Sequence, residues 1–334
     1  MVSIGILSFA NYPVICGTDE RVFELSKHLV KHNANVSLII NITGEKPRLS
    51  SDFTLVDHFT TRFGVLSDLF FTIIQLLNLL KQGRLDIIQI ELYNIKFSLF
   101  FLFLSKLFSN KTSIVIHDKR VGAKKPKDTY FIIPVLKLVN TIIFVDADLQ
   151  HYVSTTFGQW ISKKSILVQN SAKLPELEYD ENIIRTKYGF KSSDFIITFV
   201  GSSLFGPNLK AIENIFHFSK KYRTHFEDKE IKFLILDSSY SGMTISDNIT
   251  RIGYVEDIFE ILHISDVGLA PMTPTFTGSH IKVLYYMASG TPVLTTEDGI
   301  KGIIGVKNKE NVLLFNNFDD MLEKILLLYE DRNL

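Results

Sequence analysis

Short apolar runs, each long enough for one buried strand, alternate with longer stretches of helical apolar spacing, and the whole alternation restarts half-way along the chain. A chain patterned this way folds as parallel sheets wrapped by helices; a β sandwich or an all-helical bundle does not produce that alternation. The strand candidates of the first half are Val2–Phe9, Asn35–Asn41, Phe53–Phe59, Asp86–Leu92, Thr112–Asp118, Thr141–Asp146 and Ser165–Asn170. Those of the second half are Asp194–Gly201, Ile231–Asp237, Asn248–Val255, Val267–Met272, Pro292–Thr296 and Asn311–Phe315. Two α/β domains of this kind suit 334 residues, since domains usually run to about 100–200 residues. The segment Ser171–Asp180, with Pro175 and no apolar period, reads as the linker. The expected boundaries are therefore 1–172, 173–317 and a helical tail over 318–334 that could pack back on the first domain.

The net charge of zero hides an asymmetry: residues 1–172 hold 19 basic and 13 acidic side chains, and the remainder 17 and 23. The halves thus carry +6 and −6, which suits two domains serving different ligands, and the neutral total gives no reason to expect nucleic-acid binding. Cys16 is the only cysteine, which excludes a disulfide framework and a cysteine metal site and suggests a reducing, cytosolic compartment. No signal peptide is evident in the opening residues. Two runs, Leu66–Leu80 and Ile95–Phe108, are apolar enough to test against a membrane, and both fall short of the ~18 residues a spanning helix needs. The second contains FSLFFLFL, and it reads either as a helix buried on its sheet or as one seated at a membrane interface.

Ligands of open α/β sheets bind beyond the carboxyl ends of the strands, so the loops there hold the candidate chemistry. After the first strand, Gly17 and Thr18 open a helix whose free N–H groups can hold an anion or simply form a cap. After Thr112–Ile116 come His117 and Asp118, then the basic run Lys119, Arg120, Lys124, Lys125 and Lys127, which suits a phosphorylated acceptor, an anionic lipid or plain solvation. The third loop leads from Asp266-Val267-Gly268-Leu269-Ala270-Pro271 through Thr277-Gly278-Ser279-His280 into a helix that carries Lys282 in its first turn. Helix N–H groups and a nearby ammonium form a natural diphosphate seat.

From Asn248 to Gly302 the sequence resembles the family-4 glycosyltransferases of the GT-B fold, glycosyl transferases group 1, and the likeness runs more weakly over most of the chain. Arg251-Ile252-Gly253-Tyr254-Val255-Glu256-Asp257 is similar to the stretch that contacts the nucleotide base, and Lys282-Val283-Leu284 through Met287-Ala288-Ser289-Gly290-Thr291-Pro292-Val293 to the donor helix. Gly201-Ser202 with Pro207-Asn208, His117-Asp118 and Gly17-Thr18 occupy further family positions. Thr277 and Tyr285 stand where the family carries two glutamates, Ser202 where an arginine is common with Lys210 as its substitute, and Asn170-Ser171-Ala172 where it has Asn-Gly-Val.

The resemblance implies an α/β GT-B fold of two Rossmann-like, doubly wound parallel-sheet domains facing a cleft. It implies a retaining glycosyltransferase that moves a hexose from a nucleoside-diphosphate sugar to a glycan or lipid-linked acceptor, as in polysaccharide biosynthesis, without metal or other cofactor. His117 and Asp118 are then the catalytic pair. Donor binding falls to Gly17, Thr18, Gly201, Ser202, Lys210, Tyr254, Val255, Thr277, Gly278, Ser279, Lys282 and Tyr285. Peripheral contact with an anionic membrane at the inner face of the cell membrane is a further expectation. Two alternatives stay open: a catalytically impaired GT-B protein acting as a partner subunit, and a nucleotide-sugar epimerase of the same architecture.

Overall fold

The computed structural model describes residues 1–12, 17–42, 54–57, 73, 77, 83–91, 95–117, 126–274 and 279–331. In chain order the first unit contains β1 (Val2–Tyr12), α1 (Gly17–Lys31), β2 (Ala34–Ile42), β3 (Thr54–Asp57), β4 (Leu85–Glu91), α2 (Ile95–Phe108), β5 (Ser109–Ile116), α3 (Pro126–Leu138), β6 (Thr141–Phe144), α4 (Ala147–Phe157) and β7 (Ser165–Leu167). Its strands form one parallel sheet in the order β3-β2-β1-β4-β5-β6-β7. The order reverses direction between β1 and β4, and that switch point is where a doubly wound sheet opens a ligand crevice at its carboxyl edge.

The second unit continues with α5 (Glu181–Lys187), β8 (Phe195–Val200), α6 (Gly206–Lys221), α7 (Arg223–Glu227), β9 (Ile231–Leu236), β10 (Met243–Ser246), β11 (Ile249–Ile252), α8 (Ile258–His263), β12 (Val267–Ala270), α9 (Ile281–Ala288), β13 (Val293–Thr295), α10 (Glu297–Ile300), β14 (Leu313–Leu314) and α11 (Phe318–Glu330). Its sheet runs β10-β11-β9-β8-β12-β13-β14, with the switch point between β8 and β12. Only the β10–β11 pair in it is antiparallel. Strand β10 was invisible in the sequence pattern because all four of its residues are exposed and no apolar face repeats. Its two-residue turn, Asp247-Asn248, is closed by Asp247 at φ 51°, a left-handed conformation that Asp tolerates in hairpins.

The cores explain the aromatic composition. Helices cover both faces of each sheet, so the strands are apolar throughout: Ile6, Val36, Leu38 and Ile40 on one side of the first sheet, and Ile88, Ile114, Ile116, Ile142 and Phe144 across it, are essentially inaccessible. In the second unit Phe218 meets the rings of Tyr222, Phe226, Phe233 and Phe318 with centroids 5.0–6.1 Å apart. Each fully buried ring of this kind contributes about 1.5–3 kcal/mol.

The chain divides at Asn170–Ser171. Arg21 of α1 holds the end of the first unit, donating to the carbonyls of Val168 and Gln169 and to Asn170 Oδ1, each at 3.2 Å. The C-terminal helix, which the sequence allowed to pack back on the first domain, belongs to the second unit. Met321, Ile325 and Leu328, spaced to share one face, enter the second core, while Tyr329 meets Phe195 at 5.4 Å and Lys221 reaches Asp319 at 3.3 Å.

Helix α2 is the expected Ile95–Phe108 helix. Phe101 and Leu102 are buried in the sheet core, whereas Phe103 and Leu107, one turn apart, are 64% and 56% exposed. Leu66–Leu80 lies outside the described residues apart from positions 73 and 77. Among the described residues no helix is long and apolar enough to cross a membrane.

Candidate active site

In the second unit the site grows from the carboxyl ends of β8 and β12. Gly201 follows β8 and must be glycine, because a Cβ there would lie 2.7 Å from the side-chain amide of Asn208. That amide donates to the Ser202 carbonyl at 3.1 Å, and its oxygen accepts from Lys282 Nζ at 2.7 Å. The ammonium also lies 4.1 Å above the ring of Phe199 and 3.8 Å from Met272 Sδ. Lys282 keeps some exposed surface, but its charged end is packed among these groups, and the loss of solvent pulls its pKa from 10.5 down to about 7. All the groups named around it are neutral. Beside it the buried His280 is pushed down to about 4 by burial and by the Lys282 charge, so at neutral pH it carries none.

Helix α9 starts at Ile281 with His280 at its N-cap, two residues later than the expected opening at Gly278-Ser279. Its next turn is tied to the sheet. Tyr286 accepts from Val200 N at 3.0 Å and donates to the Leu269 carbonyl at 3.2 Å, bridging β8 and β12, and its ring covers Gly268 so closely that a Cβ would fall 2.4 Å from it. Tyr285 turns the other way, is 6% exposed and packs on Phe259 with centroids 5.6 Å apart. Lys210 stands apart from this cluster. Two positions beyond Asn208, about 200° further round the helix, its ammonium is 59% exposed and pairs with Glu213 at 3.3 Å. It does not join Asn208 and Lys282.

A second buried charge organises the neighbouring loops. Asp237, just beyond β9, is fully buried; Oδ1 accepts from Ser203 N at 2.9 Å and from Ser239 Oγ at 2.6 Å, and Oδ2 from Arg251 Nη2 at 2.5 Å. Burial acts to raise its pKa, but the bonds from Ser239, Arg251 and Ser203 outweigh it and hold the carboxyl at about 2. Arg251 stacks 4.3 Å over Tyr240, and a Cβ on Gly253 would meet the Tyr240 carbonyl oxygen at 2.4 Å, so the 237–242 loop is clamped against the start of Gly253-Tyr254-Val255. Tyr254 is left 49% exposed at that edge.

In the first unit β4 and β5 supply the site. Glu91 Oε2 and His117 Nε2 are 2.5 Å apart, and Gln89 Nε2 donates to Glu91 Oε1 at 2.6 Å. Gly17 begins α1, but the side chains of Gly17 and Thr18 lie outside the description, as do Asp118, Thr277, Gly278, the basic residues 119–125 and the side chain of Lys127. Ser279 precedes the His280 cap. Among the described residues no group of three or more His, Cys, Asp or Glu side chains is placed to hold a metal ion.

Residues 194–331 match the family described as glycosyl transferases group 1. The whole chain has the GT-B fold. It aligns with sucrose-phosphate synthase from Thermosynechococcus elongatus at TM-score 0.70 and 14% identity, over 99% of this chain and 90% of that one. Anabaena HepE in complex with UDP and glucose aligns at TM-score 0.69 and 12% identity over 99% and 90%. WaaG, a glycosyltransferase involved in lipopolysaccharide biosynthesis, aligns at 0.66 and 12% over 99% and 91%. No curated protein matches by sequence.

In each unit of this GT-B fold the carboxyl edge of the sheet carries a charged cluster. A cavity of about 280 Å³ lies elsewhere, lined by His263, Ser265, Asp266, Thr291 and Asp331 at the amino ends of β12 and β13. Asn208, Asp237, Arg251 and Glu91 were not singled out by sequence reasoning as site residues. The signal for Asp237 and Glu91 was an acid closing an otherwise apolar strand run; nothing local marked Asn208 as the partner of Lys282.

Proposed function

We propose that this protein transfers a hexosyl group from a nucleoside-diphosphate sugar to a glycan or lipid-linked acceptor, with retention at the anomeric carbon and without a metal cofactor. The observation that carries the reading is Lys282: a desolvated ammonium among neutral partners, in the first turn of α9, at the switch point of its sheet. As the bond from the anomeric carbon to the diphosphate oxygen breaks, charge grows on the leaving group, and the ammonium with the first N–H groups of α9 stabilises it. In this reading Gly201, Ser202 and Ser279 serve the diphosphate, and Tyr254 and Val255 serve the base. His117 and Asp118 act on the sugar, with Gly17 and Thr18 at the opening of α1. Because HepE is seen with UDP, UDP is the first donor nucleotide to try. Calorimetry and thermal unfolding with UDP, GDP and their sugars test this: one nucleotide should stabilise the fold, by about 2.7 kcal/mol at a hundred times its Kd. No stabilisation by any nucleoside diphosphate overturns the reading.

The burial of Tyr285 at a family glutamate position favours one second reading, a GT-B protein that binds its donor and serves a partner without turnover. Donor hydrolysis and transfer assays decide: saturable nucleotide binding with no release of sugar supports the partner role.

A cytoplasmic protein seated on an anionic membrane fits the first unit. Lys106, Lys137, Lys163 and Lys164 precede β5, β6 and β7 along the amino edge of the sheet, beside the exposed Phe103, Leu107 and Leu138. Lys164 donates to the carbonyls of Lys137 and Val139 at 2.8 and 3.0 Å, tying that edge together. This face lies at the opposite edge of the sheet from His117, and its lysines are beside the apolar patch. Cosedimentation with liposomes of rising anionic lipid content should show binding that salt screens, each lysine contributing ~1 kcal/mol, and that Phe103→Ser with Leu107→Ser abolishes. Absence of lipid-dependent pelleting at low salt removes the membrane contact.

A further inference from the structure

A carboxylate inside a parallel sheet is costly, and Glu91 sits on β4 opposite Val115 with its side chain fully buried. Register explains its neighbours. In the β4–β5 ladder Gln89 pairs with Ser113 and Glu91 with Val115, so Gln89, Glu91 and, one step beyond, His117 share a face. Both carboxylate oxygens are used, Oε1 by the Gln89 amide at 2.6 Å and Oε2 by His117 Nε2 at 2.5 Å. Burial pushes the Glu91 pKa upward, but the His117 bond, the His117 and Arg21 charges and the Gln89 bond outweigh it and leave the group below its usual range.

We propose that Glu91 is a positioning residue: its buried carboxylate holds the His117 ring with the proton on Nε2 and orients it at the carboxyl edge of the sheet. Nε2 is then committed to Glu91 and cannot take a proton from a substrate hydroxyl, so His117 orients and polarises the sugar and does not serve as a base through that atom. Among the described residues the other charged groups at this edge are Arg21 and Asp19 on α1 and Asp146 beyond β6; Asp146 Oδ1 is occupied by Leu149 N at 2.6 Å, and both aspartates are 2% exposed. The role for His117 in turnover rests on the proposed transferase reading; the Glu91–His117 assignment does not.

The test is nitrogen NMR of the full chain labelled at histidine, comparing wild type, Glu91→Gln and Glu91→Asp across pH 5–9. The wild-type His117 ring should be protonated at Nε2 in its neutral form. The preference for the Nε2-protonated ring should weaken in Glu91→Gln, whose side chain can donate as well as accept, and persist in Glu91→Asp. Equal tautomer populations in wild type and folded Glu91→Gln overturn the proposal. Should Glu91→Gln fail to fold, the wild-type tautomer decides alone, and a neutral ring protonated chiefly at Nδ1 overturns it. If the NMR result holds while donor turnover is absent throughout, the transferase reading fails and the positioning role stands.

Discussion

Lys282→Met is expected to make the ligand-free protein more stable and nearly unable to hold a nucleoside diphosphate. An ammonium packed on Phe199 and Met272, with an amide oxygen as its one oxygen partner among the described residues, is a cost to the fold. Replacing a buried charge by an apolar side chain of similar volume commonly stabilises, here by about 1–3 kcal/mol after allowing for the exposed part of the residue. The sign follows from the lowered pKa. Between about 7 and 10.5 the unfolded chain binds more protons at this position than the folded one, so wild-type stability rises with pH across that window. The gain from Met should therefore be full below pH 7 and vanish towards pH 10.5. A bound diphosphate reverses the preference by favouring the charged form. Nucleotide affinity should thus fall as pH rises above about 7, with proton uptake on binding, and Lys282→Ala should weaken it by about 1.5–3 kcal/mol, roughly ten- to hundredfold. Thermal unfolding and calorimetry from pH 6 to 10 check both halves. Destabilisation by Met together with unchanged nucleotide affinity would assign Lys282 to the core and remove it from the site.

The second large effect is expected at His117. His117→Gln keeps a donor for Glu91 and so avoids stranding a buried carboxylate, yet it removes the imidazole from the sheet edge. Turnover should fall by about a hundredfold or more, the usual loss when a preorganised donor leaves a reacting group. Nucleoside-diphosphate affinity should change by less than about twofold, because the residue lies in a different unit from Lys282. Steady-state kinetics and calorimetry on the same preparation separate the two quantities. Equal losses in turnover and nucleotide binding would make His117 a structural residue.

Most of the element pattern was legible because it is local. Apolar runs such as Ile231–Asp237 and the helical spacing of Phe318–Tyr329 report burial directly, and strands β9 and β11 and helix α11 lie within those expected ranges or extend them by one residue. The exposed β10 was not legible, since an edge hairpin has no buried face to leave a period. The site was legible in part. Lys282 stood out by its place in a helix after a strand, but Lys210 looked equally basic and sits on the solvent face with Glu213.

The sequence by itself determined the class of fold, the restart at mid-chain and the strand ends where chemistry gathers, because hydrophobic period and turn residues act over a few positions. Tertiary structure alone decided which side chains meet. His117 finds Glu91 across 26 residues and Lys282 finds Asn208 across 74, and both contacts depend on strand register and helix seating. The same holds for adjacent tyrosines. Tyr286 bridges β8 and β12 while Tyr285 is spent on Phe259, a division made by the rotation of α9 against its sheet.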